Sequence, residues 1–195
     1  QMIDVDSFVD WFIQNEIAKN YDAAFVTSSY CYLDANGILH MGPVWDVDVC
    51  FGNQDVIYPN SEDNGLNYYN YRADKGAWYA LLFKDETFPQ LLKKRWMEIV
   101  EKGYVEELFK DIDTLAQVIG ASKAKDEQRW PAAMRLTNVR DQGKGHGGTS
   151  YFTFEEEVAY LKDWLTKRVD FLNSQWNPTA FTGTAYRTLA TTCGA

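Results

Sequence analysis

Asp46 and Asp48 stand one residue apart in the stretch Gly42-Pro-Val-Trp-Asp-Val-Asp-Val-Cys-Phe-Gly-Asn53. If extended backbone runs through them, both side chains project from the same face. Two carboxylates so placed repel unless something sits between them. A hard divalent cation such as Mg2+ is the natural occupant, because it takes oxygen ligands and often uses one or two protein carboxylates together with phosphate. The plainer reading is a capped turn, with one Asp closing it and the other paired to Lys or Arg. An EF-hand calcium loop is excluded. Counted from Asp46, the fifth position is Cys50, the glycine arrives one place late at Gly52, and the twelfth position is Ile57, which cannot close a cation site.

Other residues that could take part are few. Asp22 ends the first helical segment in Lys19-Asn-Tyr-Asp22, where it either faces the same corner or serves a turn. Asn15 and Glu16 fall close to that segment's apolar stripe, and a carboxylate buried there needs hydrogen-bonding partners. His40 and His146 are isolated, so neither a Ser-His-Asp arrangement nor a zinc ligand spacing can be assembled. The glycines of Asp141-Gln-Gly-Lys-Gly-His-Gly-Gly-Thr-Ser150 do not have P-loop spacing, and no strand precedes them, so this stretch reads as a connector. Tyr58, Tyr68, Tyr69 and Tyr71, followed by Trp78, either stack on a sugar or peptide or fold a long loop onto its domain.

The elements that must position these groups follow from periodicity. Apolar residues at Val5, Phe8, Val9, Phe12, Ile13 and Ile17 predict a helix over 4–20 that packs one face inward, with Asp4 or Asp6 available as cap. Tyr30, Tyr32 and Leu33, then Asp34-Ala-Asn-Gly37, then Ile38, Leu39 and Met41 predict a β-hairpin closed by a two-residue Asn36-Gly37 turn. That register sets Cys31 opposite Gly42. Residues 52–75, rich in Asn, Asp, Gly and Tyr, read as a long loop. Helices are expected over 76–84, 86–102, 104–121, 124–139 and 154–175. The last opens on a Thr153/Glu156 capping box and carries an apolar stripe of Val158, Leu161, Trp164, Leu165 and Leu172. The fold class is thus α+β and predominantly helical, with one small hairpin carrying the aspartates. Residues 1–176 form the domain and 177–195 an extended tail or linker.

With 195 residues, 46% of them hydrophobic, the chain can bury a sizeable core. A net charge of −9 disfavours nucleic acid and anionic membranes as partners. The clusters Lys93-Lys-Arg95 and 123–140 read as solvated helix faces. Three cysteines are too few for a disulfide framework, and buried free thiols are expected. No apolar run approaches the ~20 residues of a membrane-spanning helix. The helical pattern starts within a few residues of Gln1, so residue 1 is expected to be a cut or processing boundary with more chain upstream.

Taken together, the helix carrying Asn15-Glu16, then Asn20-Tyr-Asp22, Ser28-Ser-Tyr-Cys-Tyr, the Asn-Gly hairpin and the Pro-Val-Trp-Asp-Val-Asp block resemble the CotH kinase family. Arg95-Trp96 and Tyr160-Leu-Lys-Asp-Trp-Leu-Thr-Lys-Arg-Val169 extend the likeness, which covers about residues 3–175. The family, named after a spore-coat protein, comprises secreted or coat-associated proteins with an atypical protein-kinase-like fold. The resemblance implies a helical, C-terminal kinase-like lobe. It matches Asp22 to the Asp that orients the accepting hydroxyl, Asp46 to the Mg2+ ligand beside the ATP phosphates, Asp48 to a supporting metal residue, and Ser29 to the position of a metal-binding Asn. The implied activity is transfer of phosphate from ATP to Ser or Thr of secreted or cell-surface proteins. The strand-rich nucleotide-covering part and its lysine are expected upstream, so these 195 residues alone are expected to be inactive. The alternative is a non-catalytic adhesion or carbohydrate-associated module that binds glycans on the same fold.

Overall fold

The computed structural model describes residues 2–20, 23, 27–47, 50–52, 77–130 and 153–176. Eight elements fall within them: α1 (Val5–Ala18), β1 (Cys31–Leu33), β2 (Leu39–Met41), α2 (Ala77–Leu82), α3 (Thr87–Glu101), α4 (Tyr104–Val118), α5 (Gly120–Arg129) and α6 (Phe154–Trp176). The predominantly helical α+β class expected from periodicity is what is found.

Helix α1 is the centre of the fold. It packs against α3, α6 and β2. Phe8, Val9, Trp11, Phe12, Ile13, Asn15, Glu16 and Ala18 are all buried, leaving only Asp6 and Gln14 fully exposed on this helix. One face is turned inward as expected, and it is broader than the apolar stripe because Asn15 and Glu16 are buried within it. Even the outer strip is tied down. Arg95 of α3 reaches Asp10 at 2.8 Å and Asp6 at 3.8 Å, while also holding its own Glu98 at 3.1 Å.

Aromatic packing joins the helices. Tyr79 of α2 stacks on Trp11 at 5.6 Å and donates its hydroxyl to the Phe8 carbonyl at 2.9 Å, and burial pushes its phenol pKa well up. Trp176 meets Phe12 at 6.2 Å and Trp96 at 5.4 Å, edge to face, and Trp96 Nε1 donates to Asn173 Oδ1 at 2.9 Å. Each such ring pair adds about 0.5–1.5 kcal/mol beyond its buried area.

The capping box of α6 forms as expected. Glu156 N–H donates to Thr153 Oγ1 at 3.2 Å and Thr153 N–H to Glu156 Oε2 at 3.0 Å. The buried face of α6 differs from the expected stripe, because Lys162 and Arg168 sit within it at zero exposure while Val158 and Leu161 are only half-buried. Lys162 Nζ donates to both oxygens of Asp113 on α4, at 2.9 and 3.0 Å. Arg168 Nη2 donates to Glu16 Oε2 at 2.7 Å and its Nε to the Glu16 carbonyl at 2.8 Å. Burial pulls the Arg168 pKa down against the opposing pull of the Glu16 carboxylate. Each long cationic stem fills core volume, and each charged head meets a carboxylate.

Several expected boundaries move. The break between the fourth and fifth helices falls at Ile119, not between 121 and 124, and residues 131–139 lie outside the described set. The hairpin register is one residue off the expected one, with Cys31 facing Met41 and Leu33 facing Leu39. The cause is Asp34. Its Oδ1 accepts from the N–H groups of Asn36 and Ile38, both at 2.8 Å, so the loop closes over three residues with only Gly37 at positive φ (+76°). These bonds hold the Asp34 carboxyl below its ordinary pKa. Asp4 stands at the α1 N-cap, yet its carboxylate bonds His40 Nδ1 at 2.9 Å instead of capping the helix. Cys50 is buried and outside any disulfide, as expected, whereas Cys31 is exposed.

The ion pair between α1 and α6 gives a sharp test. Arg168→Met alone leaves the Glu16 carboxylate buried without its partner and is expected to cost about 3–5 kcal/mol in a urea titration. Adding Glu16→Leu should restore much of that loss, which mere removal of packing would not do.

Candidate active site

The site lies where the C-terminal end of α1 meets the chain on either side of the hairpin. Helix α1 ends in a Schellman-type cap. Asn20 N–H donates to the Asn15 carbonyl at 2.9 Å and Lys19 N–H to that of Glu16 at 3.3 Å, with Lys19 left-handed at φ +51°. This position usually takes glycine, because a Cβ is strained there. Lys19 is nonetheless buried, as is Asn20.

Asn20 joins the two segments that carry the sequence-predicted aspartates. Its Nδ2 donates to the Asp46 carbonyl at 3.2 Å and, more weakly, to that of Trp45 at 3.4 Å. Its Oδ1 accepts from Ala23 N–H at 3.2 Å, immediately after Asp22 in sequence. Ser29 extends the chain of bonds by donating its hydroxyl to the Ala23 carbonyl at 2.8 Å. On the far side of Asp46, Phe51 N–H donates to the Ala18 carbonyl at 2.9 Å, and Tyr160 of α6 donates its hydroxyl to the Gly52 carbonyl at 3.2 Å. Gly52 fits only because it lacks a Cβ, which would stand 2.3 Å from the Tyr160 hydroxyl and 2.5 Å from Trp164. Phe51 meets Trp164 edge to face at 6.0 Å.

Among the described residues, the non-glycine residues at positive φ are Lys19, Ser28, Asp46 and Phe51, and all four belong to this corner. Such residues cost about 1–3 kcal/mol each and persist where the surroundings over-determine them, characteristically at functional sites. Asp46 itself has φ +61° and an exposed side chain. It therefore departs from the extended backbone assumed in the alternation argument. A left-handed residue at 46 breaks the strand geometry that would set 46 and 48 on one face.

The sequence-predicted residues divide as follows. Asp46 and Ser29 are described, and Asn20 and Ala23 link their segments. Asp22 and Asp48 lie outside the described residues, as do Tyr58, Tyr68, Tyr69, Tyr71 and His146. Trp78 is half-exposed and rests against Phe8 with ring centroids 6.5 Å apart. His40 belongs to the hairpin, between Asp4 and Asp34, with its ring stacked on Tyr32 at 4.9 Å. No group of three His, Cys, Asp or Glu side chains suited to a metal converges among the described residues. The Asp46 carboxylate, the Ser29 hydroxyl and the backbone carbonyls of the corner are hard oxygens, a set that fits Mg2+ better than a thiophilic metal.

In the sequence Asn20 figures only within the Asn20-Tyr-Asp22 motif, with no bonding role assigned to it. Asn20→Ala is expected to cost about 1–3 kcal/mol by leaving buried groups without partners. Amide hydrogen exchange should quicken around 45–47 and 51–52 while α4 keeps its protection. Uniform quickening, or none, would contradict the linking role.

The corner and the helices that brace it can be set beside known proteins. A search of curated proteins finds no match to this chain, and a search of solved structures finds none. No described helix is long and apolar enough to cross a membrane. The family model of the CotH kinase protein matches residues 1–172, which takes in every segment of the corner. The chain belongs to the CotH kinase family.

Proposed function

We propose that this chain carries the phosphoryl-transfer corner of a Mg2+- and ATP-dependent protein kinase, acting in the full-length protein on Ser or Thr hydroxyls of secreted or cell-surface proteins. The observation that carries this reading is the Asn20 carboxamide. One buried side chain bonds both the segment after Asp22 and the backbone of Asp46, in a corner that holds every described non-glycine residue of positive φ.

Asp46 is the principal metal residue, with Asp48 and the lone pairs of Ser29 in support. The bound cation supplies charge neutralisation for the phosphate oxygens. Asp22 orients the accepting hydroxyl and receives its proton. Phosphoryl transfer asks mainly for positioning and electrostatics, and a backbone fixed by Asn20, Ala18 and Gly52 contacts suits that demand because little has to reorganise during reaction. The exposed pair Tyr30 and Trp45, 48% and 58% accessible and edge to face at 6.1 Å, lies beside Asp46 and offers apolar surface to an incoming substrate.

The reading is tested by metal binding and by transfer. Asp46→Asn should weaken Mn2+ binding, followed by paramagnetic broadening of nearby amides, by about tenfold or more. In the full-length protein, Asp46→Asn and Asp22→Asn should each lower phosphate incorporation by at least about a hundredfold. Broadening that persists unchanged in Asp46→Asn, or undiminished transfer in either variant, would overturn the assignment.

A further inference from the structure

The two edges of the hairpin are treated differently. In the observed register, Asp34 N–H bonds the Ile38 carbonyl and Gly42 N–H bonds the Tyr30 carbonyl, both at 2.9 Å. Antiparallel alternation then makes Tyr32 and His40 the bonded pair between them, and turns the N–H and C=O groups of Cys31, Leu33, Leu39 and Met41 outward. On the β2 side the chain itself supplies partners. Leu39 N–H donates to the Met2 carbonyl at 3.0 Å, Asp4 N–H donates to the Leu39 carbonyl at 2.8 Å, and Met41 N–H donates to Ser7 Oγ at 3.0 Å. On the β1 side, the outward groups of Cys31 and Leu33 have no hydrogen bond among the described residues. All three residues of β1 are exposed, Tyr32 at 54% and Leu33 at 67%.

An open strand edge is a template for another strand. This one runs back through Tyr30 into Ser29, whose hydroxyl bonds Ala23, so a strand laid along it leads toward the corner that holds Ala23, Asn20 and Asp46. Charge indicates what kind of strand. From Asn20 to Tyr71 the sequence has no Lys or Arg, while Asp22, Asp34, Asp46 and Asp48 fall within that stretch. Asp34 stands at one end of β1 with its carboxyl held below the ordinary pKa range, and at the other end Tyr30 meets the ring of Trp45 at 6.1 Å, next to exposed Asp46.

We infer that β1 is a docking edge to which an extended peptide segment with cationic flanks adds as a third strand. Backbone bonds to Cys31 and Leu33 supply register, and the carboxylates at either end select charge. The inference rests on the proposed function only in taking that peptide to be part of the phosphate acceptor.

The test uses binding, so it needs neither nucleotide nor metal. The probe is the peptide Lys-Thr-Val-Ser-Val-Thr-Lys, with its Glu-ended counterpart and a version N-methylated at alternate amides as controls. At saturation the Cys31 and Leu33 amides should exchange about tenfold more slowly, with that of Tyr32 little changed. Leu33→Pro removes an outward N–H that the β1–β2 ladder does not use, a place where an edge strand tolerates proline. It should weaken binding about tenfold, and the Glu-ended and N-methylated peptides should bind more weakly by a similar factor. No protection of Cys31 and Leu33 at millimolar peptide, or equal binding of the N-methylated peptide, overturns the inference even if Leu33→Pro fails to fold. Edge protection in a protein whose Mn2+ response is indifferent to Asp46→Asn would contradict the proposed function alone.

Discussion

Glu16 and Arg168 meet in the core at zero exposure, 152 residues apart in sequence. Taking two charges out of water is costly, and the contact is sustained only because both are paired and because Arg168 also donates to the Glu16 carbonyl. Such a pair tolerates little displacement, so it fixes the position of α6 along the last turns of α1. Much of the fold follows from that. At this setting Trp176 reaches Phe12 and Trp96, and Tyr160 and Trp164 meet Gly52 and Phe51. The core thus acts on the candidate site through α6, which clamps the chain beyond Asp46, and through α1, whose end places Lys19 and Asn20.

The corner illustrates how strain and its compensation are distributed. Left-handed backbone at Lys19, Ser28, Asp46 and Phe51 opposes folding. Opposing it are the cap bonds of α1, the Asn20 carboxamide, the Ser29 hydroxyl and the bond from Phe51 to Ala18. Nearly all of these partners are backbone carbonyls or amides. The corner's shape is therefore held largely by main-chain hydrogen bonding, and Asp46 is an exposed residue within it.

Much of the helical fold was legible in the sequence because its signals are local. The period of α1, the Thr153/Glu156 capping box and the length of α6 could all be read directly. The hairpin was legible in kind but shifted in register, because the Asp34 side chain competes with an Asn-Gly turn for the same amides, and spacing alone does not show which wins. The buried polar partners were harder. Glu16 was recognisable as a carboxylate needing a partner, but nothing near it in sequence identifies Arg168, and a Lys or Arg on a helix face is ordinarily solvated. Asp46 was legible as a candidate by residue type and by family likeness. Its left-handed backbone was not, since Asp is only one of several residue types that tolerate that conformation. The linking role of Asn20 was not legible, because its bonds go to carbonyls 25 and 26 residues away.

The account's central claim is that Asp22 and Asp46 address one reaction centre, joined through Asn20. The most direct measurement is a crystal structure of the full-length protein with Mg2+ and a non-hydrolysable ATP analogue. The account predicts an Asp46 carboxylate oxygen within about 2.1 Å of the cation, with the Asp22 carboxylate turned toward the γ-phosphate from the acceptor side. A cation bound without Asp46, or Asp22 and Asp46 facing separate clefts, would contradict it.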